Sequence, residues 1–373
     1  MKFVFLVQGE GRGHMTQAIT LCRMLQQHGH EVSTVIIGKS ERRVLPKFVF
    51  KEIQAPIIQL DSPNFVTDKK AKTINLPKTI AYNALRTKTF KQSLEQIHEI
   101  IQADQPDVLL NFYDFLGGLY CWLYKPDLKY YCIGHQYLAS HPDFIFAEKR
   151  HIQRWLFLLN NEITALRADK RITLSFQSYH PSRINKLIVV PPLIRSEVKK
   201  QKVSKEDFYL CYMVNAGYAE EVITWQKAHQ DVNIICFWDN KAFPKVYQPQ
   251  PNLTFHQVDD QLFLEKMAAC KAYVSTAGFE SICEAMYLQK PVMMIPVKGQ
   301  YEQACNALDA VSAGAGIAHD QFDFSQLTHH IDTKSNKHLG FLNWEGKAEA
   351  IILHVLTGQY IPIPSDVSLR VAD

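Results

Sequence analysis

Lys2-Phe3-Val4-Phe5-Leu6-Val7-Gln8-Gly9-Glu10-Gly11-Arg12-Gly13-His14 is the stretch on which the fold is read. Its apolar run, Phe3 to Val7, stops at a glycine-rich loop. A secretory apolar core usually has roughly 7–15 residues. This run is shorter and passes directly into Gly9, so it reads as a buried strand feeding a tight turn. Beyond the loop, Ala18, Leu21, Cys22 and Leu25 recur at helical spacing. The helix ends at His28-Gly29, and a second apolar strand follows at Val32–Ile37.

The same unit repeats downstream. A helix carrying Phe90, Leu94, Ile97 and Ile101 stops before Pro106, and strands follow at Val108–Phe112 and Tyr130–Ile133. The pattern breaks at Pro191–Asp207, where two prolines and several basic residues (Arg195, Lys199, Lys200, Lys202, Lys205) stand among few apolar ones. It then restarts with strands at Phe208–Val214, Val232–Phe237, Ala272–Ser275 and Val292–Ile295, and with a late helix bearing Ala348, Ile351, Ile352 and Val355. Alternation of this kind predicts α/β architecture: two doubly wound, Rossmann-like parallel sheets facing a cleft. The expected division is 1–192, a linker at 193–206, a second domain at 207–343, and a helix and tail at 344–373 that pack back on the first domain.

Bulk properties narrow the function. The chain has 373 residues, 47% hydrophobic and 21% charged, with a formal net charge of +4. That is enough chain for two cores, and too little charge for nucleic acid to be the expected partner. The eight cysteines show no metal-binding spacing and read as reduced, buried thiols of a cytoplasmic protein. No apolar stretch approaches the roughly 20 residues of a membrane span.

Ligands of doubly wound sheets bind beyond the carboxyl ends of the strands, so the loops there carry the functional candidates. Gly11 and Gly13 lie at the start of a helix, whose amides favour anions. The spacing is neither a dinucleotide fingerprint nor a Walker loop. His14, neutral near a helix N-terminus, suits a general base. Asp114, after another strand, could orient it as a buried carboxylate does in a triad. The bland readings are a loop histidine satisfied by backbone and a helix cap.

Thr276-Ala277-Gly278-Phe279-Glu280-Ser281 closes a strand and opens a helix. The amides of Gly278, Phe279 and Glu280 are expected to face a diphosphate, with Thr276 and Ser281 adding hydroxyls. Glu280 and Glu284 stand one turn apart, and a carboxylate there could accept from a ribose diol. Alternatively, one is a core residue and the other complements the helix dipole. Glu302 and Gln303 begin a later helix and suit sugar hydroxyls. Asn215, Gly217 and Val258 complete the donor-side candidates.

These residues resemble a known group. Gly278, a hydroxyl residue three positions later (Ser281) and a glutamate six later (Glu284), followed by the KPVMMIP of 290–296, then Glu302-Gln303 and Asn306-Ala307, are similar to the donor motif of inverting GT-B-fold glycosyltransferases. The relatives include small-molecule glycosyltransferases and the lipid-linked N-acetylglucosaminyltransferase of peptidoglycan synthesis. Gly13-His14 matches the first loop, where the resemblance makes the histidine the acceptor-activating base. It further implies that Glu284 binds ribose, and that a nucleoside diphosphate sugar, a UDP-sugar by expectation, is a substrate. No separate cofactor is implied. No Asp-x-Asp occurs, so no metal is expected. The chain departs from the pattern at Thr276, where a histidine is usual, at Glu302, where an aspartate is usual, at Gln17, where proline often stands, and at His256-Gln257-Val258, where a base-stacking tryptophan is missing.

The acceptor, whether glycan, lipid or small molecule, is left open. The basic, partly apolar segments Thr67–Lys91 and His151–Arg171 raise peripheral contact with the inner face of a membrane, although such segments are more often ordinary helices with a solvated basic face. A nucleotide-sugar epimerase of the same fold and a non-catalytic nucleotide-sugar-binding protein are the competing readings.

Overall fold

The computed structural model describes residues 1–39, 47–63, 76–148, 150–181, 186–213, 216–333 and 338–363. The first half is a seven-stranded sheet of β1 (Lys2–Val7), β2 (Glu31–Lys39), β3 (Ile57–Asp61), β4 (Val108–Phe112), β5 (Lys129–Ile133), β6 (Lys170–Leu174) and β7 (Leu187–Val190), in the order β3-β2-β1-β4-β5-β6-β7. All its pairings are parallel. The second is a seven-stranded sheet of β8 (Tyr209–Met213), β9 (Ile234–Trp238), β10 (Val246–Gln250), β11 (Leu253–Gln257), β12 (Ala272–Thr276), β13 (Val292–Ile295) and β14 (Gly316–Ala318), in the order β10-β11-β9-β8-β12-β13-β14. Only its edge pair β10–β11 is antiparallel.

Both sheets reverse direction of travel at one place. In the first, the chain moves outward one way from β1 and the other way from β4; in the second, the reversal falls between β8 and β12. These switch points open crevices at the carboxyl ends of those strands. The loops following β1, β4, β8 and β12 are those that carry His14, Asp114, Gly217 and Gly278. The loop after β1 is glycine-rich for a packing reason: a Cβ on Gly9 would lie 1.9 Å from the Gly38 carbonyl oxygen at the end of β2. Backbone, rather than ligand, makes that close approach.

The helix Arg12–Gln27 buries Ala18, Leu21, Cys22 and Leu25 on the face that periodicity predicts. Burial also extends round the helix start from His14 to Gln17, where Gln17 Nε2 meets Glu280 of the other half. One apolar cluster contains Val7, Met15 and Leu25 of the first half together with Phe279, Ile282 and Cys283 of the second. All eight cysteines are buried and unpaired. Among the described residues no helix is long and apolar enough to cross a membrane.

The segment 193–206 departs from the polar linker expected. Leu193, Ile194 and Val198 are buried in the shared cluster, whereas residues 202–206 are exposed. Three apolar side chains so sparsely spaced give no periodic signal, and their burial depends on both halves meeting over them. The helix Ala348–Thr357 lies against the first half. Its Ile352, Leu353 and Leu356 join the same cluster, and Lys170 Nζ donates to the Val355 carbonyl at 2.5 Å. Residues 364–373 of the expected tail lie outside the described residues.

Candidate functional site

His14 sits in the first turn after Gly11, which caps the helix Arg12–Gln27 without a side-chain bond. Its ring stacks on Tyr113 with centroids 5.8 Å apart. Nδ1 lies 3.3 Å from Gln17 Oε1, and Nε2 lies 3.4 Å from Gln136 Nε2. Burial lowers its pKa to about 4, against a small opposing effect of Gln17, so the ring is neutral near pH 7.

Asp114 does not meet it. Asp114 caps the helix Phe115–Tyr124, and its Oδ1 accepts from the Leu116 amide and from Ser62 Oγ, both at 2.8 Å. The expected His14–Asp114 hydrogen bond is therefore corrected. At the end of β4 the chain turns straight into a helix, whose first amides need an acceptor. Burial raises the Asp114 pKa to about 6, with the Leu116 and Ser62 bonds opposing it. Gln17 takes the place beside His14 that Asp114 was expected to hold.

On the opposite wall, β12 ends in buried Thr276, and Phe279 caps the helix Glu280–Tyr287 with no side-chain bond. Gly278 is open on its Cβ side, with nothing within 4 Å. Its amide already donates to the Thr276 carbonyl at 2.7 Å, so of the three amides expected to face a diphosphate this one is engaged within the turn. Ser281 is partly exposed in the first helical turn.

The two glutamates are both partnered. Glu280 reaches across to the first half, where its Oε1 accepts from Gln17 Nε2 at 2.5 Å. Its Oε2 is buried with no hydrogen-bond partner among the described residues. Burial raises its pKa to about 8, with the Gln17 bond opposing and the Glu284 charge adding. A Cβ on Gly13 would stand 3.0 Å from Glu280 Cγ, so glycine there lets the two walls close. Glu284 is buried against Arg195, whose Nε and Nη2 bind its two oxygens at 2.6 and 3.1 Å while Nη1 binds Asp260.

Glu302 opens the helix Tyr301–Ser312 and accepts from Gln136 Nε2 at 3.0 Å. Burial raises its pKa. Gln303 turns inward, its Oε1 accepting from the Val297 amide at 2.9 Å, and Asn306 Nδ2 donates to the Ala277 carbonyl. These two side chains brace the loops of the donor-side wall. Val258 follows β11 with its amide donating to the Trp238 carbonyl. Gly217 is exposed in the turn Ala216–Tyr218 after β8. Asn215 lies outside the described residues, as do residues 67–75 of the first basic segment. In the second basic segment the helix His151–Thr164 exposes Ile152 and Trp155 and buries Phe157. Among the described residues no group of three or more His, Cys, Asp or Glu gathers as a metal site.

The structure thus brings His14, Gly13, Glu280 and Glu302 to one seam, and sets Asp114, Glu284 and Gln303 into the walls behind it. It also places residues that the sequence reading passed over. Gln17 was visible only as a departure from a pattern. Gln136 and His135 follow β5 on a short 3-10 turn, His135–Ser140, and position after a parallel strand was the one available signal. His135 stacks on Phe279 at 4.1 Å, and its Nε2 lies 3.6 Å from Asp309 Oδ2, forming a second contact between the halves. Tyr179 donates to the other Asp309 oxygen at 2.6 Å.

The family model described as Glycosyl transferase family 1 matches residues 1–333. No curated protein matches the chain. Among solved structures, UGT2 of Phytolacca americana, complexed with UDP-2fluoro-glucose and pterostilbene, is similar with a TM-score of 0.64 at 11% identity, over 95% of this chain and 96% of that one. The glycotransferase of kitacinnamycin is similar with a TM-score of 0.62 at 15% identity, over 93% and 95%. MurG of Acinetobacter baumannii gives a TM-score of 0.57 at 15% identity, over 96% and 100%. At such identities the likeness is one of fold, two Rossmann-like domains in the GT-B arrangement.

Proposed function

Since the chain belongs to glycosyl transferase family 1, we propose that this glycosyltransferase takes its sugar from a nucleoside diphosphate sugar of the UDP class. It transfers the sugar to an acceptor hydroxyl with inversion and without a metal. The observation that carries this reading is His14. It is a buried, neutral imidazole whose Nε2 faces the seam between a first-half loop and the donor-side helices.

In the step proposed, His14 Nε2 takes the hydroxyl proton as the oxygen attacks the anomeric carbon. The bond from that carbon to the diphosphate oxygen breaks, and the diphosphate leaves with the electron pair. Its charge is met by the unsatisfied amides at the start of the helix Glu280–Tyr287 and by Thr276 and Ser281. Glu284, held by Arg195 in the wall behind the seam, supports the ribose side of the site from there. Glu302 faces the sugar, and Gln303 braces the loop beside it through the Val297 amide. Closure of the halves limits hydrolysis of the donor. The absence of an Asp-x-Asp motif supports metal independence.

A thermal-shift panel of nucleoside diphosphate sugars tests the donor site. A donor at a hundred times its dissociation constant should stabilise by about 2.7 kcal/mol, and UDP-sugars should lead the panel. No shift with any of them would remove the donor assignment. His14→Ala should lower kcat by about 10²- to 10⁴-fold while keeping the donor-induced shift. Turnover should survive chelation. With a UDP-sugar and no acceptor, formation of an epimer would favour the epimerase reading instead.

A further inference from the structure

His14 is held between two side-chain amides, and their orientations are not independent. Gln136 Nε2 lies 3.0 Å from Glu302 Oε1. A carboxyl oxygen accepts there, so the nitrogen end of Gln136 faces Glu302. The same nitrogen lies 3.4 Å from His14 Nε2, so that ring nitrogen accepts. A neutral imidazole that accepts at Nε2 carries its proton on Nδ1. Nδ1 faces Gln17 Oε1 at 3.3 Å, as a donor should face an oxygen. The other end of Gln17, Nε2, donates to Glu280 Oε1 at 2.5 Å. From the other side, Glu280 accepts from Gln17 Nε2 through Oε1, the carbonyl oxygen if the acid is neutral with its proton on the unpartnered Oε2. Gln17 then turns its own oxygen to Nδ1, and the same tautomer results. Two anchors on the second half, Glu280 and Glu302, thus set one ring on the first.

We infer that Gln17 is the positioning residue for His14, anchored across the cleft by Glu280, and that Gln136 holds the ring nitrogen whose place an acceptor hydroxyl takes. The inference rests on the reading of His14 as the base. When the hydroxyl arrives at Nε2 it replaces the Gln136 amide, while Gln17 keeps its hold on Nδ1. The arrangement does by a neutral amide what a buried carboxylate does in a triad: it selects the tautomer and the orientation. It also makes base alignment depend on closure, because the oxygen that fixes Gln17 belongs to the donor-side helix. The groups facing this assembly are Tyr113 stacked on the ring, Gly13 against Glu280, and the Arg195–Glu284 pair beyond it.

The test reads the ring itself. The full chain is labelled with ¹⁵N-histidine, and long-range ¹H–¹⁵N spectra are recorded at neutral pH. The His14 signals are identified among the 15 histidines by their loss in His14→Ala. The wild type should show the proton on Nδ1 and a bare Nε2. Gln17→Met, which removes both amide functions at similar length, should shift His14 toward the Nε2-protonated form. Glu280→Met should loosen the tautomer in the same direction, and Glu280→Gln, which keeps an acceptor oxygen, should preserve it.

A wild-type ring protonated on Nε2 would overturn the inference, and that measurement decides the matter even if Gln17→Met does not fold. An unchanged tautomer in Gln17→Met would also overturn it, leaving His14 as base with another positioner. Full turnover by His14→Ala, by contrast, would remove the base and the positioning role together.

Discussion

Arg195 shows what one residue does that its sequence context hides. It stands in a stretch read as a polar linker, yet its guanidinium forks onto Glu284 and reaches Asp260 as well. Glu284 is almost fully buried, and a buried carboxylate needs a partner that supplies both charge and hydrogen bonds. Arg195→Met should therefore destabilise by about 3–5 kcal/mol, because it leaves Glu284 buried and uncompensated. The double variant Arg195→Met with Glu284→Met should recover much of that loss. Urea denaturation of the two single variants and the double one checks this, and a near-additive result would contradict direct pairing. At this scale the spacing of Gly278, Ser281 and Glu284 was legible, since all three lie within two turns of one helix start. The partners of Glu284 and Glu280 were not. Arg195 and Gln17 lie 89 and 263 residues away in the chain, and no local pattern records such a meeting.

At the scale of elements, Asp114 belongs to the helix it starts more than to the histidine across the crevice. Asparagine caps a helix about as well as aspartate, and alanine does not, at a cost of typically about 1 kcal/mol. Asp114→Asn should keep stability and turnover near wild type, whereas Asp114→Ala should lose about 1–2 kcal/mol. If Asp114→Asn instead lost turnover with its thermal midpoint intact, Asp114 would return to the chemistry. The elements themselves were unequally readable. β1 and β13 carry continuous apolar runs and β4 is interrupted only by the buried Asn111, as expected of strands covered on both faces. β10, Val246-Tyr247-Gln248-Pro249-Gln250, is a polar edge strand containing proline, and β14 has three residues. Edge position relaxes the apolar pattern and admits proline, so neither carried a signal.

For the molecule as a whole, the two sheets are joined by more than a linker. The shared apolar cluster, the seam from Gln17 to Glu280 and from Gln136 to Glu302, and the helix Ala348–Thr357 packed on the first half all cross between them. Urea unfolding should therefore be one transition, with tryptophan fluorescence and far-UV circular dichroism coinciding. Leu353→Ala, at a fully buried site on that last helix, should lower the common midpoint by about 2–5 kcal/mol in stability. Two resolved transitions would contradict a shared core. By itself the sequence determined the alternation of strand and helix, the glycine-bounded loops after β1 and β12, and the helix starts that bear His14 and Glu280. Each of these depends on periodicity and turn chemistry within a few residues. Only the tertiary structure decided which side chains face one another. Asp114 was turned into a cap, Arg195 was drawn under Glu284, and Gln17 and Gln136 were set around His14. The reason is that hydrogen-bond partners in a parallel sheet protein are chosen by strand order and closure, which bring residues hundreds of positions apart within reach, and no short-range pattern encodes that choice.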